Sequence, residues 1–134
     1  MSTKPFSPID SSPLAGCLAG PEIDPAGRTG TIRLCCPDDF AGFAGHFPGE
    51  PILPAVLQLM AVRLLAETMA ATSLDSVGVE RLKFKGMVRP AEEVMVRVTL
   101  RYEGELILAD FALERGRSTV ASGTLVFRVP EAVG

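Results

Sequence analysis

At 134 residues with 47% hydrophobic side chains, the chain is long enough for one well-buried core and too short for two ordinary domains. Its formal charge of -3 is mild and its 13 Lys and Arg residues are scattered, so neither a nucleic-acid groove nor an anionic membrane surface is indicated. Three cysteines, Cys17, Cys35 and Cys36, cannot all pair within one chain, which suits a reducing compartment better than a disulfide framework. The N-terminus is broken by Pro and Gly and carries no apolar run of signal-peptide or bilayer-spanning length. A cytoplasmic location without membrane contact is therefore expected.

In chain order, residues 1–28 hold Pro5, Pro8, Pro13, Gly16, Gly20, Pro21, Pro25 and Gly27, a density that predicts an irregular N-terminal arm. Residues 29–36 (TGTIRLCC) alternate polar with apolar or β-branched side chains and stop at Pro37, which reads as a strand. A loop follows over 38–51. Pro54 stands where a first helical turn tolerates proline, and neither Pro nor Gly recurs before Gly78, so a helix is expected over about 54–71. Strand-like runs then cover about 77–88, 93–102, 106–114 and 119–129, separated by Arg89-Pro90, Glu103-Gly104 and Gly116.

The helix is apolar nearly all round, interrupted chiefly by Gln58, Arg63 and Glu67, and such a helix has to be surrounded. Four closely joined runs behind it read as antiparallel neighbours. An α+β architecture follows, with one sheet wrapping one central helix, a strand before the helix and four after it. Strand order does not follow from pattern. Sheet edges left unpaired at this size would invite edge-to-edge dimerisation.

The chemistry concentrates in residues 43–58, FAGHFPGEPILPAVLQ. His46 is the one histidine of the chain, and imidazole is the side chain whose ordinary pKa suits proton transfer near neutrality. It stands among Phe47, Pro48, Gly49 and Pro51, just ahead of the helix, whose first backbone N–H groups are free to polarise a carbonyl oxygen. That pairing fits carbanion chemistry beside a thioester carbonyl; the alternative is a structural histidine filling a corner beneath the loop. Cys35 and Cys36 read as small buried apolar residues. One histidine and scattered acids do not build a metal site, and no cofactor is called for.

His46 to Leu57 (HFPGEPILPAVL) resembles the signature His-Phe-Pro-Gly-x-Pro-φ-φ-Pro-Gly-Val-Leu, φ being apolar, of the 3-hydroxyacyl-acyl-carrier-protein dehydratases. A weaker likeness extends over Glu80 to Val94 (ERLKFKGMVRPAEEV). The resemblance implies a hot-dog fold, a homodimer joined edge to edge with possible higher assembly, and an acyl thioester on carrier protein or coenzyme A as the partner. It makes His46 the base that takes the C2 proton. It also implies that Phe47, Gly49, Pro54, Ala55, Gln58 and Met60 line the acyl site, and that Lys83, Lys85 and Arg89 meet the phosphopantetheine phosphate or the carrier.

Two positions depart from the family pattern. The acid that protonates the leaving hydroxyl falls fourteen residues after the histidine on the partner subunit's helix, and Met60 occupies that place; a thioether cannot donate a proton. Ala55 replaces a glycine whose backbone N–H faces the thioester carbonyl, which keeps the donor and adds a methyl. Glu67 lies on nearly the same helix face as Met60 but roughly 10 Å further along the axis, and Arg63 is placed to pair with it at i,i+4. Glu50 reads as a solvated charge. Three functions stay open: a dehydratase, an acyl-binding or heterodimer partner subunit without full chemistry, and a hot-dog thioesterase.

Overall fold

The computed structural model describes residues 7–41 and 52–130. Alternation in the valine-rich segment 94–100 sets the centre of the sheet: Val94, Val96, Val98 and Leu100 are all buried, with exposed residues between them. Seven elements follow one another: β1 (Leu18–Ile23), β2 (Thr29–Leu34), α1 (Ala55–Ala70), β3 (Asp75–Phe84), β4 (Val94–Glu103), β5 (Leu106–Arg115) and β6 (Ser118–Arg128). The strands form one sheet in the order β1-β2-β4-β5-β6-β3, every neighbouring pair antiparallel. This is the hot-dog architecture, a sheet curled around one helix.

The inner face presents Ile32 and Leu34 of β2, the β4 valines, and the register pairs Ile107↔Phe127, Ala109↔Leu125 and Leu113↔Ala121. Against it α1 packs Ala61, Val62, Leu65 and Ala66, none of them exposed at all. The helix comes so close to β2 that a Cβ on Gly30 would lie 2.8 Å from Met69 Sδ. Leu14, fully buried in the segment ahead of β1, joins the same core.

Three expectations are corrected. Residues 1–28 are not irregular throughout, because β1 lies within them and two strands, not one, precede the helix. Its proline and glycine sit in a register shift between Ala19 and Glu22, with Gly20 at φ +66°. An edge strand tolerates this, since a bulged residue owes no ladder hydrogen bond and proline has none to give. Secondly, β3 neighbours β6 and not β4. The nine residues between Phe84 and Val94 reach past two strands at ~4.8 Å spacing without strain. Thirdly, the strand expected over 77–88 ends at Phe84: the N–H groups of Lys85 and Gly86 both turn to the Val120 carbonyl, at 2.8 and 3.2 Å, which closes the ladder.

β3 has β6 on one side only, and all ten of its residues are exposed. Val77, Val79, Leu82 and Phe84 thus form an uncovered apolar edge. On the outer face of the sheet, Arg101 grips Asp110 through Nε at 2.6 Å and Nη2 at 3.1 Å, and Thr124 Oγ1 donates to the same carboxylate at 2.7 Å. The Arg101 hydrogen bonds, with Thr124 adding to them, hold the Asp110 carboxyl below its ordinary value.

A depressed carboxyl pKa contributes stability that is present above the unfolded value of ~3.9 and is lost as pH falls through the folded one. Asp110→Asn is therefore expected to melt below wild type at neutral pH, with the gap closing below about pH 4. Melts that stay equally separated from neutral to acid pH would show that ionisation of Asp110 is not the cause.

Candidate functional site

The site is built where α1 begins. Pro54 is the residue before the helix, with φ −59° and ψ 148°, and no side chain caps the first turn. The N–H groups of Leu57 and Gln58 turn back to the Pro54 carbonyl at 3.0 and 3.2 Å. Those of Ala55 and Val56 have no hydrogen-bond partner among the described residues. No acidic side chain stands in that turn, so nothing on the turn itself offsets the positive end of the helix dipole. The segment leading in is anchored, because Leu53 N–H donates to the Val88 carbonyl at 2.7 Å.

From this turn a stripe of Val56, Leu59, Met60 and Arg63, at helical spacing, stays outside the core. Val56 is 68% exposed. Opposite stand Ser76 and Val79 of β3 and Leu125 of β6, and the space between is an apolar groove of about 250 Å³. Among the described residues its lining contains one charged side chain, Arg63, and no carboxylate. An alkyl chain can be desolvated here, and a carbonyl at the open end can meet free N–H donors.

The expected site residues fall into four groups. His46, Phe47 and Gly49 lie outside the described residues, as does Glu50. Pro54, Ala55 and Met60 are together at the start of the helix, with Met60 in the groove wall. Gln58 is turned inward and only 4% exposed. Its Nε2 donates to the Leu53 carbonyl at 3.1 Å, while its Oε1 is buried with no partner among the described residues; it braces the segment ahead of the helix. Lys83, Lys85 and Arg89 are exposed, but Lys83 lines a separate cleft with Asp110 and Thr124 on the outer face of the sheet. Arg89 has its backbone N–H on Glu92 Oε1 at 2.7 Å.

Glu67 is occupied elsewhere. It is buried, and Oε2 accepts the Leu74 N–H at 2.7 Å, which ties the chain leaving α1 back onto the helix. Arg63 Nε lies 3.8 Å from its other oxygen. Cys17 and Cys36 are also buried, and burial, first among the causes, pushes both thiols up, so neither favours the thiolate. Among the described residues no three His, Cys, Asp or Glu side chains cluster as metal ligands. No helix among them is long and apolar enough to cross a membrane. Sequence reasoning missed the share of Val56, Leu59 and Val79 in the groove; the i, i+3, i+4, i+7 spacing of 56, 59, 60 and 63 was the available signal.

Removing the Glu67 carboxylate leaves the Leu74 N–H buried and unpaired. Glu67→Leu is expected to lose about 1–3 kcal/mol, and Glu67→Gln, which keeps an acceptor, clearly less. Urea titrations measure both, and equal losses would show that the carboxylate's charge, not its hydrogen bond, matters.

Residues 22–124 match the ApeI-like family model, described as ApeI dehydratase. Among curated proteins, the chain is similar to the 3-hydroxyacyl-[acyl-carrier-protein] dehydratase FabZ of Rickettsia felis, 33% identical over 66 residues. It is similar also to that of Oenococcus oeni, 40% identical over 65 residues. Each match takes in 43% of this chain, and the chain spans about half the length of these two relatives, 46% and 47%. A longer match, 27% identical over 95 residues, joins 65% of this chain to 68% of the Streptococcus uberis FabZ. Among solved structures, one from the dehydratase heterocomplex ApeI:P of Xenorhabdus doucetiae superposes with TM-score 0.69 and 24% identity, over 83% of this chain and 96% of that one. An uncharacterised protein from Pyrococcus horikoshii superposes with TM-score 0.72 and 11% identity, over 98% and 96%. At these identities the two structures show a shared fold.

Proposed function

We propose, because this chain belongs to the ApeI-like dehydratase family, that it dehydrates a 3-hydroxyacyl thioester carried on acyl carrier protein or coenzyme A. The observation that carries this reading is the apolar groove lined by Val56 at the start of α1, where the Ala55 and Val56 N–H groups have no partner among the described residues. A thioester carbonyl hydrogen-bonded to Ala55 N–H gains enolate character as the C2 proton leaves, which lowers the barrier to removing that proton. His46, twelve residues before Gln58 in the motif, is the base. The C2–H bond breaks to imidazole, the electron pair forms the C2=C3 double bond, and the C3–O bond breaks. The hydroxyl departs as water with the proton that the imidazolium now holds.

Met60 makes a single group responsible for both transfers, since a thioether has no proton to give. The same observation favours a second reading, in which a partner chain of similar fold supplies the acid. A thioesterase finds less support: among the described residues no carboxylate lines the groove, and Glu67 is engaged with Leu74 and Arg63.

Crotonyl and 3-hydroxybutyryl thioesters are expected to interconvert on the purified protein, followed by enoyl absorbance. His46→Ala should lower the rate by ~10²–10⁴-fold, and Met60→Glu should raise it. An inert wild type beside an active Met60→Glu variant would select the second reading. No turnover and no thioester binding by either would sink both.

The apolar β3 edge supports a homodimer in which two such edges meet. Light scattering should give twice the chain mass of 14.2 kDa, and charges added at the edge by Val77→Glu with Leu82→Glu should give the monomer. A double variant that stays dimeric would place the contact elsewhere.

A further inference from the structure

The groove along α1 does not end in solid protein. A second cavity, of about 290 Å³, lies under Pro8, Ser11 and Pro13 of the N-terminal segment and reaches Glu67 and Ser73. Met60 and Arg63 line both spaces, so the two spaces adjoin at those side chains. Met60 is an adaptable, apolar wall. Arg63 is held differently: its side chain is 46% exposed, and its tie is the 3.8 Å approach of Nε to Glu67. A charge-assisted hydrogen bond would be about 1 Å shorter, and exposed i,i+4 pairs contribute little. Glu67 is the fixed partner, through its bond from Leu74 N–H.

We propose that Arg63 is a chain-length gate. With the guanidinium against Glu67, an acyl chain entering at the start of α1 stops at Arg63; with the pair opened, the chain continues beneath residues 8–13. The helix advances roughly 10 Å from Val56 to Arg63 and roughly 16 Å from Val56 to Glu67, at ~1.5 Å per residue. The two positions of Arg63 thus correspond to a short and a medium-to-long acyl group. The inference rests on the reading that the first groove holds the acyl chain of a thioester.

Calorimetric titration with unreactive thioether analogues of butyryl-, octanoyl- and dodecanoyl-pantetheine tests the gate without requiring turnover. Wild type should gain affinity from butyryl to octanoyl and then level off. Arg63→Ala should bind the dodecanoyl analogue at least ~10-fold more tightly than wild type does, given about fourfold per newly buried methylene. Glu67→Gln should show the same gain, since it frees Arg63 and still accepts from Leu74. Adding Ser73→Phe to Arg63→Ala should abolish it by filling the second cavity. Superimposable chain-length profiles in wild type and both single variants, with the butyryl analogue bound by all, would overturn the gate and leave the acyl-binding reading standing. Failure of wild type to bind any analogue would overturn that reading and the gate with it.

Discussion

Everything in this molecule follows from the need to cover one helix. Ala61, Val62, Leu65 and Ala66 have no exposure, and a helix this apolar is stable only when water is kept from most of its circumference. The sheet curls over one side, close enough at Gly30 to leave no room for a Cβ against Met69. Residues 7–17, with Leu14 as their anchor, lie over another. What the two coverings do not fully bury is the stripe Val56, Leu59, Met60 and Arg63, and it forms the wall of a groove. The candidate site is thus the unfinished part of the core.

The polar groups around α1 divide between structural and available ones. Gln58 and Glu67 are the buried polar residues of the helix, and each holds the chain at one end: Gln58 bonds the Leu53 carbonyl before the helix, and Glu67 bonds the Leu74 N–H after it. Groups committed in this way are poor proton shuttles. The N–H groups of Ala55 and Val56 are uncommitted among the described residues, and Val56 lines the groove. His46, the chain's one histidine, comes nine residues before Ala55 in the sequence.

The fold class was legible because two periodicities disagree. A helix-length stretch without Pro or Gly, apolar on every side, can only be a centre, and segments alternating with period two can only be what surrounds it. The first strand was hidden because Gly20 and Pro21 mark a turn in most settings, and the bulge that accommodates them in β1 depends on β2 lying alongside. The adjacency of β3 and β6 was hidden for a related reason. The strand-like pattern running on to Val88 leaves only a short connection that reads as a hairpin, whereas β3 ends at Phe84 and the longer connection crosses to β4.

The sequence by itself determined the chemistry on offer: a single histidine in a Pro- and Gly-rich motif ahead of the helix, and a methionine fourteen residues after it. It determined these because they are properties of local spacing and of functional groups. Tertiary structure alone decided that β3 is a bare apolar edge and that Gln58 points into the core. It also decided that Lys83 stands on the outer face, and that Met60 and Arg63 line two adjoining cavities. Those outcomes depend on which surfaces of helix, sheet and N-terminal segment meet, and contacts between residues far apart in the chain leave no local pattern to read.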